Sequence, residues 1–169
     1  PKVLTISYGT CEVETAKSTR KLADAVFMRF ALAGTSVLSA AGDSGSSGCV
    51  SLGTGQGPRQ LAVNYPASSV WVTSVGGTRI VLTKANKRAA EYVWNDSPWG
   101  FLGAGGGGTS IVYGRPAWQP KKATGSTKRT VPDLSAHAST FPGFPLIGLG
   151  QPAVFAEPIA GTSAATPLT

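Results

Sequence analysis

The chain has 169 residues, of which 41% are hydrophobic and 14% charged, so it is long enough for one domain with a core and too apolar to be disordered. Its 22 glycines and 12 prolines favour a compact, loop-rich protein of extracellular type. The net charge of +7 comes from scattered lysines and arginines, which favours solvated basic loops over an acidic partner. No basic face interleaved with aromatic residues is visible, so nothing indicates nucleic-acid binding.

Both ends of the sequence resemble the interior of a longer chain. Residue 1 opens directly into a strand-like run, and residue 169 stops inside an expected helix. No signal peptide, transit peptide or membrane-spanning run is visible, and we expect no membrane partner. We therefore interpret residues 1–169 as part of one domain that is incomplete at both ends.

The first third of the chain predicts a strand, a helix and a strand. Residues 2–9 are β-branched and apolar, residues 14–32 carry apolar side chains at helical spacing before Gly34, and residues 36–41 form a second apolar run. Short connections make this a βαβ unit, so the two strands should be parallel and adjacent. Sites in such sheets form beyond the carboxyl ends of the strands. Ser7-Tyr8-Gly9 and Gly42-Asp43-Ser44-Gly45 both lie there.

The middle of the chain predicts short strands separated by turns. We expect a surface loop at 46–64, followed by a turn at Tyr65-Pro66-Ala67. A third strand is predicted at 70–75, closed by Gly76-Gly77-Thr78, and then a hairpin at 79–93 with a basic turn at 84–88. Residues 109–130 should form a surface stretch, and residues 131–136 should return to the core. The glycine run at 105–108 is either a flexible linker or a place where another backbone approaches closely. No GK[ST] follows it, so it is not a phosphate loop.

The two cysteines, Cys11 and Cys49, lack the spacing of a metal-binding pair. Each follows the end of one of the two predicted parallel strands, which makes a bridge between them geometrically reasonable. We favour a single disulfide, with two buried free thiols as the alternative. A disulfide would place the protein in an oxidising, extracellular compartment.

The segment Gly161-Thr162-Ser163-Ala164-Ala165-Thr166-Pro167 sets a serine between a Gly-Thr turn and a run of small residues. A serine there would lie in the first turn of a tightly packed helix, near the positive end of the helix dipole. Two interpretations stay open at this point: Ser163 is a nucleophile, or it is a helix cap before an alanine-rich helix.

A nucleophilic serine needs a base, and the sequence offers no convincing one. His137 is the single histidine and has no recognisable motif around it, so we expect it in a loop or at the surface. Asp43 lies in a glycine-bounded turn at a strand end. If protonated, it would donate a hydrogen bond to a developing oxyanion. The alternative is a turn aspartate that binds its own backbone.

Eight short motifs occur in a fixed order. They are Ser7-Tyr8-Gly9, Ala40-Ala41-Gly42-Asp43-Ser44-Gly45, Tyr65-Pro66-Ala67-Ser68-Ser69, Val75-Gly76-Gly77-Thr78, the run 105–108, Arg115-Pro116-Ala117-Trp118-Gln119, Val131-Pro132-Asp133 and the segment 161–167. Together they span nearly the whole chain and resemble the sedolisin family of serine-carboxyl peptidases. The resemblance implies an α/β fold of subtilisin-like, three-layer type, with a mostly parallel sheet flanked by helices.

The resemblance also assigns roles to residues. Ser163 would be the nucleophile and Asp43 the acid that stabilises the oxyanion. An extended peptide would bind as an added strand. The residues implied to contact it are Ser7, Tyr8, Gly9, Gly106, Gly107, Gly161 and Thr162. The resemblance implies a secreted, monomeric enzyme, made with an N-terminal propeptide, that cleaves peptides or proteins at acidic pH.

Three features of the family are not matched here. Its base is a glutamate supported by an aspartate, both on a helix that precedes the matching region. Its calcium site lies beyond the serine helix, so we expect calcium in the full-length protein with ligands outside this chain. The family often has acidic residues after Pro-Asp, where this chain has His137. The first two departures predict that the 169-residue piece alone is inactive.

Two other functions remain as alternatives. The chain could belong to a non-catalytic, peptide-binding relative that keeps the scaffold without the missing acids. It could also belong to a subtilisin-type protease that uses a histidine base. Subtilisins carry asparagine where this chain has Asp43.

Overall fold

The computed structural model describes residues 1–51, 54–57, 59–100, 103–147 and 156–169. In chain order the elements are β1 (Val3–Ile6), β2 (Thr10–Cys11), α1 (Lys17–Leu32), β3 (Ser36–Ala40), β4 (Asn64–Tyr65), β5 (Thr73–Leu82), β6 (Arg88–Val93), β7 (Gly108–Gly114), α2 (Lys121–Thr124), β8 (Lys128–Val131), β9 (Leu134–His137), β10 (Phe144–Ile147), β11 (Ala156–Ile159) and α3 (Thr162–Ala165). Turns of 3-10 helix lie at Ser97–Trp99 and Thr166–Leu168. Parts of the expected loop at 46–64 and of the glycine-rich approach to residue 105 fall outside the described residues.

The central sheet is mostly parallel. Strand β3 lies between β1 and β5 and is parallel to both, and β9 runs parallel to β5. Strand β6 returns antiparallel to β5 as the second arm of the predicted hairpin. The predicted βαβ unit is confirmed, because β1 and β3 pair directly, with Val3 opposite Ser36 and Ile6 opposite Ser39.

Neighbouring residues of β3 show that the sheet is covered on both faces. Val37 packs in a cluster with Phe27 of α1, whereas Leu38 packs in a second cluster with Ala165 of α3. Because successive side chains of a strand point to opposite faces, α1 and α3 lie on opposite sides of the sheet. The predicted three-layer α/β architecture is therefore confirmed.

Helix α1 begins at Lys17, three residues later than the apolar spacing predicts. The main-chain N–H groups of Glu14 and Thr15 both donate to the carbonyl of Cys11. These bonds hold residues 12–15 in a turn, and Ala16 before the helix is extended. The C-terminal prediction is confirmed, since Gly34 follows the helix with a φ of 71°.

The third strand differs from its prediction at both ends. It begins at Thr73 and runs without interruption through Gly76 and Gly77 into the hairpin, so these glycines do not close it. A Cβ at Gly76 would lie 2.6 Å from Pro132 Cγ, and one at Gly77 would lie 2.8 Å from Trp94 Cε3. The glycines are therefore where other segments press onto the strand, which local sequence patterns do not reveal.

The stretch at 109–130 is mostly exposed, as predicted, but it also contains regular structure that was not predicted. Strands β7 and β8 pair as an antiparallel hairpin. Arg129 in β8 is fully buried and forms 2.5 Å hydrogen bonds to both carboxylate oxygens of Asp133. Its guanidinium also donates to the carbonyls of Ala67 and Val72. This arginine joins β8 to the chain leading into β5.

A carboxylate on α1 ties the helix to two other segments. Asp24 accepts hydrogen bonds from the hydroxyls of Tyr65, Ser69 and Tyr113. Burial, with the nearby Asp24 carboxylate, raises the pKa of both tyrosines above their ordinary value. Both phenols therefore stay neutral donors to Asp24.

No helix in the described part of the chain has the length and apolarity needed to cross a bilayer.

Candidate active site

Asp43 lies just beyond the end of β3, in a turn that depends on glycine. Gly42 has a φ of 106°, in the left-handed region that favours glycine. A Cβ on Gly42 would lie 2.5 Å from Asn64 Nδ2, so the Asn64 amide packs directly against the turn. From behind, Gly106 donates its N–H to the Gly42 carbonyl at 2.7 Å. The position of the carboxylate is thus fixed by segments distant in the sequence.

Thr162 binds Asp43 with two groups. Its main-chain N–H donates to Asp43 Oδ1 at 2.8 Å, and its hydroxyl donates to the same oxygen at 2.7 Å. The hydroxyl in turn accepts the N–H of Gly42 at 3.1 Å. Gly161 lets these groups approach, because a Cβ there would lie 2.8 Å from Asp43 Oδ2. These bonds join residues 119 positions apart and place Asp43 against the start of α3.

Ser163 lies in the first turn of α3, as predicted, and is half-buried. Its hydroxyl donates to the Ser7 carbonyl at 3.3 Å, and the Ser7 hydroxyl donates to the Ser163 carbonyl at 2.7 Å. The helix start is held to the sheet by the Gly161 N–H, which donates to the Ala138 carbonyl at 2.7 Å. Ser163 therefore stands where the ends of β1 and β3 meet α3.

A cavity of about 410 Å³ opens at this meeting point. Its walls include Ser7, Tyr8, Gly9, Asp43, Thr162 and Ser163. Tyr8 is 69% exposed at its rim. Asp43 and Glu14 are the acidic residues in its wall.

Cys11 and Cys49 form a disulfide, with their Cα atoms 4.5 Å apart. The bridge joins β2 to the loop that follows Asp43, and both half-cystines line the cavity. Both are buried. The disulfide therefore links the two walls of the cavity to each other.

Gly106 and Gly107, expected beside the substrate, do not line this cavity. A Cβ on Gly106 would overlap the Ala41 carbonyl oxygen, so Gly106 supports the Asp43 turn from behind. A Cβ on Gly107 would lie 3.0 Å from the Val131 carbonyl oxygen, on the hairpin side. The glycine run is thus a place of close backbone approach within the chain itself.

His137 is neither in a loop nor next to Ser163. It belongs to β9, where its Nδ1 accepts the Ile80 N–H at 3.3 Å and its Nε2 contacts the Pro142 carbonyl. Both ring nitrogens therefore have main-chain partners. Within the described residues, no histidine, aspartate or glutamate side chain lies within hydrogen-bond distance of Ser163 Oγ.

Sequence reasoning missed the residues that support the site. It did not single out Asn64, whose amide fits between Gly42 and Gly48, because no motif marks a side chain that packs on glycines. Thr162, which is expected to contact substrate, lines the cavity but is fully buried, and its hydroxyl donates to Asp43. The signal that pointed to this region was the pair of glycine-bounded motifs around Asp43 and Ser163.

The described residues contain no group of three or more His, Cys, Asp or Glu side chains that could hold a metal ion. Calcium stays an expectation for residues outside this chain, and no part of the site's chemistry is assigned to it.

Known proteins resemble the chain in sequence. No family model matches it. It is 35% identical to kumamolisin from Bacillus sp. (strain MN-32) over 175 residues, which cover 99% of this chain and 29% of kumamolisin. It is 34% identical to sedolisin from Pseudomonas sp. (strain 101), covering 99% of this chain and 28% of sedolisin. Tripeptidyl-peptidase 1 from Bos taurus is 29% identical, again over 99% of this chain. The chain thus spans less than a third of the length of these relatives.

The fold agrees with the sequence relationship. The solved structure of Pseudomonas sedolisin, described as a serine-carboxyl proteinase complexed with two molecules of pseudo-iodotyrostatin, matches with a TM-score of 0.84 and 34% identity. The match covers 99% of this chain and 45% of that structure.

Proposed function

Because the chain belongs to the sedolisin family, we propose that the full-length protein hydrolyses peptide bonds, with Ser163 as nucleophile and Asp43 as the acid that stabilises the oxyanion. One observation carries the proposal. The Asp43 carboxyl is hydrogen-bonded to Thr162, the residue directly before Ser163. A reactive hydroxyl and a group able to stabilise negative charge are thus held side by side at one cavity.

The proposed reaction proceeds through an acyl-enzyme. Ser163 Oγ bonds to the substrate carbonyl carbon while its proton passes to a base, which the family resemblance places on a glutamate outside this chain. The carbonyl oxygen becomes an oxyanion, and the neutral Asp43 carboxyl donates a hydrogen bond to it. The C–N bond then breaks, and the leaving amine takes the proton from the base. Water hydrolyses the ester and restores the Ser163 hydroxyl.

The substrate is a peptide in extended conformation. Ser7, Tyr8 and Gly9 continue the chain beyond the end of β1 and line the cavity beside Ser163. An extended peptide laid along this segment would be held by main-chain hydrogen bonds, with one side chain in the cavity. We also propose a secreted, monomeric enzyme with a propeptide, which binds calcium outside this chain. These properties follow from the family resemblance alone.

The test is Ser163→Ala in the full-length protein, measured with an internally quenched peptide between pH 3 and pH 7. We expect turnover to fall by at least about 10⁴-fold, since removal of a nucleophile leaves only residual catalysis. Ser36→Ala is the matched control, because Ser36 is exposed at the opposite end of β3 from Asp43. Undiminished turnover in Ser163→Ala would exclude Ser163 as the nucleophile.

The same assay separates the alternatives. A wild-type protein that binds peptides but never cleaves them would be the non-catalytic relative. The absence of a base near Ser163 among the described residues is the observation that keeps this alternative open. A carboxylate base stays active between pH 6 and about pH 4, whereas a histidine base becomes protonated there and loses activity.

A further inference from the structure

The two oxygens of the Asp43 carboxyl have different surroundings. Oδ1 accepts both donors of Thr162, at 2.7 Å and 2.8 Å. Oδ2 lies beside the Cα of Gly161 and accepts no hydrogen bond from the described residues. The carboxyl group is thus saturated on one oxygen and open on the other, and Asp43 lines the cavity that contains Ser163.

The direction of the Thr162 hydroxyl is also determined. Gly42 contributes an N–H, which can only donate, and this N–H points at Thr162 Oγ1 from 3.1 Å. The hydroxyl proton must therefore point elsewhere, and Asp43 Oδ1 is the acceptor within reach. Thr162 itself is immobilised, because it is fully buried and its carbonyl accepts the Thr166 hydroxyl at 2.6 Å.

This arrangement decides where a proton on Asp43 resides. A neutral carboxyl has one carbonyl oxygen, which accepts, and one hydroxyl, which donates. Oδ1 already accepts an N–H and an O–H from Thr162, and a proton bonded to Oδ1 would be crowded against these two hydrogens. Oδ1 is therefore the carbonyl oxygen. The proton is then on Oδ2, the oxygen that Thr162 leaves open.

We propose that Thr162 is a positioning residue, which assigns the proton of Asp43 to Oδ2 and thereby aims the oxyanion-stabilising donor. The inference rests on the proposed function and adds to it a residue that acts through Asp43. Without the Thr162 hydroxyl, Oδ1 keeps only one donor and the Gly42 N–H loses its acceptor. The carboxyl can then rotate, and its proton no longer points in one direction.

The test compares Thr162→Val with Thr162→Ser in the full-length protein. Valine keeps the shape of threonine without the hydroxyl, whereas serine keeps the hydroxyl. We expect kcat to fall about 10² to 10³-fold in Thr162→Val, the effect of losing one oxyanion-hole donor, with KM within about threefold. Thr162→Ser should recover kcat to within about fivefold. A peptide aldehyde, which adds a serine hydroxyl to give a tetrahedral adduct, should lose affinity in Thr162→Val in proportion to kcat.

The possible outcomes distinguish the proposed function from the role of Thr162. Wild-type protein without turnover overturns the proposed function. Active wild-type protein with unchanged kcat in Thr162→Val overturns the role of Thr162 alone. Equal losses in the valine and serine variants would indicate a packing role and also overturn it.

A second comparison applies if Thr162→Val does not fold. In Asp43→Asn, the amide oxygen should take the place of Oδ1 and the amide N–H₂ the place of Oδ2, so a donor still faces the cavity. We expect its kcat to exceed that of Asp43→Ala by at least about tenfold. Equal kcat values in these two variants would contradict the proposed assignment of the oxygens.

Discussion

The end of the sheet that holds Asp43 and Ser163 and the outer face of α1 are built in opposite ways. At the sheet end, polar groups more than a hundred residues apart are hydrogen-bonded to each other, as with the half-buried Asp43 and the buried Thr162. On α1, apolar side chains face solvent, with Leu22 73% exposed and Leu32 79% exposed. Contacts within the chain therefore determine the geometry of the site, whereas the outer face of α1 makes few contacts with the rest of the chain.

This contrast predicts which substitutions should lower the free energy of unfolding. Burial without pairing is costly for a charged group, so the paired groups near the sheet end should be sensitive to loss of one partner. Apolar groups that are already exposed lose little when truncated. All of the following variants are made in the full-length protein.

The largest effect on stability is expected at Arg129. Arg129→Ala removes the ion-pair partner of Asp133 and three main-chain hydrogen bonds in a buried place, so the free energy of unfolding should fall by about 3–5 kcal/mol. Among the described residues, the Asp133 carboxylate then keeps only the Ser74 N–H and the Gln119 amide as donors. Denaturant unfolding measures this. Arg88→Ala is the matched control, since the Arg88–Glu91 ion pair is exposed and should contribute at most about 1 kcal/mol. Similar losses in both variants would remove the distinction between the two ion pairs.

A second effect is expected at Asp96, which is fully buried and accepts hydrogen bonds from Ser139 and Thr140. Burial alone would raise the pKa of Asp96, but the Thr140 N–H, the Trp94 indole and the hydroxyls of Thr140 and Ser139 together outweigh it, and the pKa lies below its usual range. The fold therefore stabilises the ionised form.

The sign of the pH dependence follows from this lowered pKa. The contribution of Asp96 is fully present above its unfolded pKa of about 3.9 and is lost as the pH falls through the lower folded pKa. Asp96→Asn should reduce the free energy of unfolding by about 2 kcal/mol at pH 6 and by less at pH 2. Unfolding curves at both pH values measure the difference. A cost that grows as the pH falls would contradict the assignment.

The smallest effect is expected on the outer face of α1. Leu22→Ser should change the free energy of unfolding by less than about 0.5 kcal/mol, because the side chain is already exposed. Phe27→Ala on the same helix should cost about 3–5 kcal/mol, because Phe27 packs in a core cluster with Val37 and Val72. A large loss in Leu22→Ser would show that another part of the full-length protein covers this face.

Sequence reasoning predicted what depends on local patterns. The spacing of apolar residues and the positions of glycines predict the βαβ unit and the hairpin of β5 and β6. They also predict the position of Ser163 in a first helical turn. The continuous run of β5 through Gly76 and Gly77 could not be predicted, because its causes are Pro132 and Trp94, which are distant in the sequence.

Distance in sequence also explains why the hydrogen bonds at the site were not predicted. The two donors that Thr162 aims at one oxygen of Asp43 are visible only once the chain is folded.

The burial of Arg129 could not be predicted for a different reason. Composition indicates a basic surface stretch, and it does not show that Asp133, four residues later, pairs with Arg129 in a buried place.

If Ser163 is the nucleophile, it becomes acylated during turnover, and mass spectrometry can detect the acyl group. Turnover of a peptide ester by the full-length protein is stopped with strong acid, the protein is digested, and the acyl mass is located. We expect the acyl group on Ser163 in the wild-type protein and no acyl group at position 163 in Ser163→Ala. An acyl group on another residue, or cleavage with no acylated Ser163 at any time point, would contradict this expectation.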